Sequence, residues 1–203
     1  MSLERTGKTK QVDRRVRKTK NQLRDGLARL MEKKSIKEIT VKELVDEVDI
    51  NRSTFYLHYT DIYQMLEAIE EELMNELMAV IKRDRDIPFN EQSLPFIESI
   101  CKILAENRTI CVALLGPHGD IAFIHQMERI IAENSFQVIV NKYPNAEKEI
   151  GYAYDFCLAG CVRLIETWLK KEQPESVEYM ANMMYELVTN ALKPVYHHIM
   201  TTP

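Results

Sequence analysis

Glycine is scarce, with 6 in 203 residues. No glycine-rich loop of the kind that cradles phosphates occurs, and strand-to-strand turns have few residues to use. No apolar run approaches the roughly 20 residues that span a bilayer, so no membrane partner is expected. The basic N-terminus lacks the apolar stretch of a signal peptide, and the expectation is a chain that is not exported and is cytoplasmic. The four cysteines, Cys101, Cys111, Cys157 and Cys161, never fall in C-x-x-C spacing, which argues against a zinc site. Without an export signal they read as reduced, largely buried thiols rather than two disulfides. No nucleophile, base and acid stand in a recognisable set, so neither an enzyme nor a cofactor is expected.

What is present is helical. Hydrophobic residues make up 45% of the chain and charged residues 29%, the balance of a globular protein with an ample core. Apolar positions recur at three and four almost throughout, which predicts an all-α fold of about nine helices. The net charge of −4 conceals an asymmetry. Residues 1–58 hold 15 Lys and Arg against 9 Asp and Glu, a balance of +6; residues 59–203 hold 12 against 22, or −10. Such a split fits a front segment that meets a polyanion, although a solvated basic tail has the same composition.

The chain reads as an arm (residues 1–12) followed by a helix over 13–34, whose apolar stripe is Val16, Leu23, Leu27, Leu30 and Met31. Thr40 with Glu43 predicts a capping box opening a short helix with Leu44, Val45 and Val48 on its inner face. Asp49 stands at a tight turn, where Asp tolerates a left-handed backbone better than most residues. Asn51 is a good N-cap for a second short helix over 52–59. Further helices are expected over 60–83, from Ser93 with Pro95 in its first turn, and over 107–115. The last three follow over 120–141, 145–171 and 175–192, with the final one ending before Pro194.

Two helices of about eight residues are too short to fold alone. Joined by a tight turn and braced on both sides, they make a helix-turn-helix over residues 40–59. On the second of them Phe55 and Tyr59 lie four apart and face inward. Ser53, Tyr56 and Leu57 fall on the opposite face, with Arg52 at its exposed start. In a major groove Arg52 can reach a guanine edge and Leu57 a thymine methyl, while Tyr56 and His58 can bond phosphate oxygens.

The run Ile39-Thr40-Val41-Lys42-Glu43-Leu44, followed by Ile50-Asn51-Arg52-Ser53-Thr54-Phe55-Tyr56-Leu57-His58-Tyr59, resembles the DNA-binding signature of the TetR/AcrR repressor family. The close match covers about residues 20–68. The resemblance implies a DNA-binding domain over 1–59 and a larger helical domain over 60–203 that dimerises and usually holds a ligand pocket. It implies base contacts from Arg52, Ser53 and Leu57, and phosphate contacts from Thr40, Thr54, Tyr56 and His58. Lys42 would face DNA from the preceding helix. Two positions depart from the family pattern. Asp49 replaces the usual Gly, and Ile62 replaces a Lys near the start of the fourth helix, so one phosphate contact is either absent or supplied by Tyr63.

The resulting expectation is a ligand-responsive repressor that binds a palindromic duplex operator as a homodimer. Its rivals are a protein-binding co-regulator that kept the fold and, with less support, an enzyme. Phe123, Tyr152, Cys157 and Trp168 are the candidate lining of an effector pocket, although aromatic residues at helical spacing are more often simple core. Ala159, Gly160 and Cys161 are small enough to admit a second helix, as a dimer seam requires. Cys157 and Cys161, four apart, suit either an oxidant sensor or small apolar core. His118 and His125, seven apart, make a poor metal pair.

Overall fold

The structure, a computed structural model, describes residues 3–83, 94–142 and 147–201. Among the described residues there are nine α-helices and no strand. They are α1 (Leu3–Met31), α2 (Val41–Glu47), α3 (Arg52–Tyr56), α4 (Ile62–Arg83), α5 (Leu94–Glu106), α6 (Arg108–Leu114), α7 (Ile121–Lys142), α8 (Glu147–Lys170) and α9 (Val177–Thr201). A single 3-10 turn, Ile36–Glu38, links α1 to α2. None of the described helices is long and apolar enough to cross a membrane.

Three boundaries differ from the sequence expectation. Residues 3–12, expected as an arm, continue α1; a helix already nucleated by its packed half extends one bond at a time at little cost. The second short helix ends at Tyr56, and a turn completes the segment through His58 N–H to Phe55 O at 2.9 Å and Tyr59 N–H to Phe55 O at 3.0 Å. The last helix runs through Pro194 to Thr201. Proline removes one i→i−4 donor without preventing the flanking turns from bonding. The expected loop at 84–92, the Ser93 cap and the break at Tyr143-Pro144 lie outside the described residues.

Among the described side chains, α1 packs through its carboxyl-terminal half. Leu23, Leu27, Leu30 and Met31 are buried, whereas Val16, expected on the same stripe, is exposed. Gly26 lets α2 come close. A Cβ there would lie 2.2 Å from Val48 Cγ1 and 3.1 Å from Leu44 Cδ1, so any larger residue would push the two helices apart. Helix α4 carries nine buried residues from Ile62 to Ile81. A continuous core extends from Leu23 in α1 to Met184 in α9. In it α1 packs on α6, α5 on α9, and α8 on α9. The recognition unit is therefore seated directly on the helices of the second region.

Candidate nucleic-acid interface

The short helices are placed by caps and one left-handed residue. Thr40 accepts a bond from Glu43 N–H at 3.2 Å and so starts α2. The second half of the expected capping box is replaced, because the Glu43 carboxylate bonds Lys34 Nζ at 2.6 Å. A complete box forms instead one turn earlier, between Ser35 and Glu38. Asp49 adopts φ 52°, the only non-glycine residue of positive φ among the described residues, and Ile50 N–H then reaches Val45 O at 3.0 Å. Asn51 is the N-cap of α3 as expected, but through its backbone: its carbonyl accepts from Thr54 and Phe55, and its side chain makes no capping bond.

Helix α3 is held by one side chain. Phe55 has no exposed surface, and its ring lies 5.8 Å from that of the buried Tyr59. Opposite them the helix offers an unusual surface. Leu57 is 79% and Tyr56 57% exposed, and Arg52 and Ser53 are exposed beside them. Thr40 and Lys42 are exposed at the start of α2, and Thr54 and His58 are half-buried. Neither Lys42 nor Arg52 is paired with a carboxylate among the described residues. Burying Phe55 thus turns one cation, two hydroxyls and one bare leucine outward within a short stretch of chain. Ile62, where the family has Lys, is buried in the core, and the next residue, Tyr63, is exposed.

Two further features lie in the second region. Helices α4, α5, α7, α8 and α9 line a cavity of ≈150 Å³. Its walls include Met74, Ile100, Met127, Cys157, Cys161 and Met184, and no charged side chain lines it among the described residues. Of the four residues expected to line a pocket, Cys157 does so. Tyr152 is 69% exposed on the outer face of α8. Trp168 and Phe123 are buried outside the cavity wall, with Trp168 Nε1 donating to Glu175 O at 2.8 Å. The periodicity that finds an apolar stripe cannot tell cavity wall from close-packed core. Burial pushes the Cys101 and Cys111 thiols up to about 12 and Cys161 to about 11, and raises Cys157 as well. Thiolate is then scarce at neutral pH, which disfavours oxidant sensing.

The second feature is a set of exposed apolar residues on the outer faces of α8 and α9, interspersed with exposed charged residues such as Asp155, Arg163 and Glu186. Phe156, 74% exposed, lies one turn from Tyr152, and exposed Ala159 and Gly160 continue the same face. Tyr179 and Leu187 are exposed on α9.

A polar junction that no local sequence signal announces connects α1 to this region. Arg24 Nη2 donates to Asn107 Oδ1 at 2.7 Å, and Asn107 Nδ2 donates to Glu76 Oε2 at 3.2 Å. Arg108, beside it, donates to the carbonyls of Leu169 and Lys171, each at 2.7 Å, closing the end of α8. Asn107 reads in sequence as the start of a helix. Nothing there signals that its amide serves three helices.

A braced helix-turn-helix seated on a larger helical domain defines a DNA-binding transcriptional regulator. The model for bacterial regulatory proteins of the tetR family matches residues 23–69, and a TetR model for the transcriptional regulator C-terminal region matches residues 91–190. The chain belongs to the TetR family. No curated protein matches it by sequence. Among solved structures it is similar to a TetR transcriptional regulator from Streptococcus agalactiae (TM-score 0.53, 22% identity, 89% of this chain and 98% of that one). It is also similar to PfmR from Thermus thermophilus (TM-score 0.62, 17% identity, 83% and 97%). The fatty acid degradation regulator FadR from Bacillus halodurans gives a TM-score of 0.61 at 12% identity (86% and 96%). At these identities the likeness is one of fold.

Proposed function

We propose that the chain is a sequence-specific regulator that binds a palindromic operator as a homodimer and represses by occupying it, with release controlled by a small uncharged effector. The observation that carries the DNA reading is the exposure of Arg52, Ser53, Tyr56 and Leu57 on a helix pinned from behind by Phe55. Arg52, Ser53 and Leu57 read base edges in the major groove. Thr40, Thr54, Tyr56 and His58 bond phosphates and fix the register, with Lys42 adding charge from α2. Tyr63 stands in for the cation that Ile62 displaces. Residues 1–59 carry the DNA function; residues 60–203 carry dimerisation and effector binding.

The bare face of α8 and α9 supports the homodimer. Aromatic residues this exposed, beside Ala159 and Gly160, suit a four-helix seam around a two-fold axis. The two recognition helices then meet successive major grooves on one face of the duplex. The apolar cavity supports an effector without formal charge, since its lining among the described residues offers an ion no charged partner. Its helices meet α1 through the Arg24–Asn107–Glu76 junction. A ligand that binds one arrangement of these helices better than the other shifts the population and so changes operator affinity.

Selection of bound duplexes from a random pool tests the reading. The expected result is a two-fold symmetric site whose half-sites lie about one helical turn apart. Recovery of no preferred sequence by a folded dimer would overturn it and favour a co-regulator that works through another protein.

A further inference from the structure

The amino-terminal half of α1 lies outside the unit just described. The family model begins at residue 23, whereas α1 begins at Leu3. Its 29 residues make a rod of roughly 43 Å at 1.5 Å per residue. Among the described side chains of α1, which begin at Arg14, Leu23 is the first buried one, and Arg14, Arg15, Val16, Arg17, Lys18 and Lys20 are all exposed. The far end of α1 is seated on α6, so the free half runs away from the effector region. It leaves the core beside the end of the recognition segment, where Lys20 Nζ stands 5.8 Å from the centre of the Tyr59 ring.

Residues 3–20 contain eight Lys or Arg and two acidic residues. This composition works against the helix. Like charges three and four apart, such as Arg14 with Arg17 and Lys18, repel one another. Arg14, Arg15, Arg17 and Lys18 make no ion pair among the described residues that would relieve the repulsion. A polyanion would relieve it. Leu3, Val12 and Val16 are the only large apolar residues in the stretch, too few for the apolar face with which a basic helix enters a lipid surface.

We infer that this half of α1 is a second DNA-binding element, which lies against the phosphates flanking each half-site and extends the footprint beyond the recognition helix. It rests on the DNA-binding reading above. Its side chains meet phosphate and carry no base preference, so the element adds affinity and salt dependence without changing the sequence read.

The test compares the full-length protein with a variant carrying Arg14→Gln, Arg15→Gln, Arg17→Gln and Lys18→Gln. Glutamine keeps the helix propensity. Affinity for a selected duplex and for a scrambled duplex is measured by fluorescence anisotropy between about 50 and 200 mM salt. For every phosphate that the variant no longer neutralises, the log–log salt slope should fall by about 0.9. Affinity for both duplexes should drop by a similar factor, on the order of ten-fold or more. The ratio between the duplexes should not change. A second measurement uses the unaltered protein: trimming the base pairs outside the half-sites should weaken its binding and leave the variant's unaffected. Equal slopes and equal sensitivity to trimming, with specific binding intact, would overturn the inference alone. Failure of the unaltered protein to bind any duplex would overturn both readings. Binding of phosphatidylserine vesicles that requires the four cations, with DNA affinity unchanged, would assign the element to a membrane instead.

Discussion

The recognition unit and the helical region behind it are built from the same kind of element, and they use apolar side chains differently. In the front, burial has one purpose. Phe55 and Tyr59 close the core, and what they leave outside is chemistry suited to a groove. In the back, apolar residues are divided three ways: close-packed core at Trp168 and Phe123, cavity wall at Cys157 and Met184, and a bare outer face at Tyr152 and Phe156. The difference decides how each region should fail. The front should break from within, through a single side chain. The back should tolerate change on its outer face and register it only in association.

The largest effect is expected from Phe55→Ala. Removing a fully buried phenyl ring costs about 3–5 kcal/mol, because the site cannot collapse completely around the cavity left behind. Thermal melting followed by circular dichroism should show the destabilisation, and operator binding should disappear with it. A variant that melts like the parent would mean that α3 is held by something other than Phe55.

Next come the outward residues of the same helix. Arg52→Ala should cost roughly 1–3 kcal/mol on the selected operator and relax preference at one base pair in each half-site. Tyr56→Phe removes one hydroxyl, so it should cost nearer 1 kcal/mol and weaken all sequences alike. Binding to a panel of single-base operator variants separates the two patterns. If both substitutions relaxed the same base pair, the assignment of Tyr56 to phosphate would be wrong.

The front is legible in the sequence because its signals are local. Thr40, Asp49 and Asn51 sit close together in the chain, and each has a backbone reason to be where it is. Even so, two side chains depart from the local reading. Glu43 turns to Lys34 rather than back to its own helix start, and Asn51 caps through its carbonyl. Such choices depend on partners outside the motif itself. In the back the helices are legible and their faces are not. Tyr152 and Cys157 are both apolar positions of α8, and only packing against α4, α5 and α9 sends one to solvent and the other to the cavity. The Arg24–Asn107–Glu76 junction joins residues 83 and 31 positions apart, beyond the reach of any periodicity.

A smaller effect tests a half-buried carboxyl on α4, within the helical region. Burial and the carboxylates of Asp120 and Glu67 push the Glu70 carboxyl up to about 7, and Glu70 Oε1 has no hydrogen-bond partner among the described residues. The group is raised above its ordinary value of 4.5, so the folded state holds a proton that the unfolded chain has lost between those limits. Stability therefore falls as pH rises from 4.5 to 7, and the whole penalty is present above 7. Glu70→Gln should remove it. Because the site is half-exposed and screened, the gain above pH 7 is on the order of 1 kcal/mol, or roughly 2–4 °C in Tm. Below 4.5 the two proteins should melt together. A gain of the same size at both extremes would point to packing rather than charge.

The smallest expected effect on folding is that of Gly160→Leu, and its small size makes it informative. A Cβ at Gly160 meets nothing within 4 Å, so a leucine there enters open space in the isolated chain. Glycine within a helix costs up to about 1 kcal/mol relative to better helix formers, so the monomer should be unchanged or slightly more stable. If α8 and α9 form the seam with a second copy, the same leucine stands where the partner's helix must come close. Association should then weaken while the fold persists. Sedimentation should show the parent as a dimer and the variant shifted toward monomer. The Tm of the parent should rise with protein concentration, as it must when association stabilises the native state, and that of the variant should depend on concentration less. A variant that remains fully dimeric would move the seam away from Gly160, and the exposure of Phe156 and Tyr152 would then need another partner. A variant that unfolds at low concentration would contradict the open space around Gly160 itself.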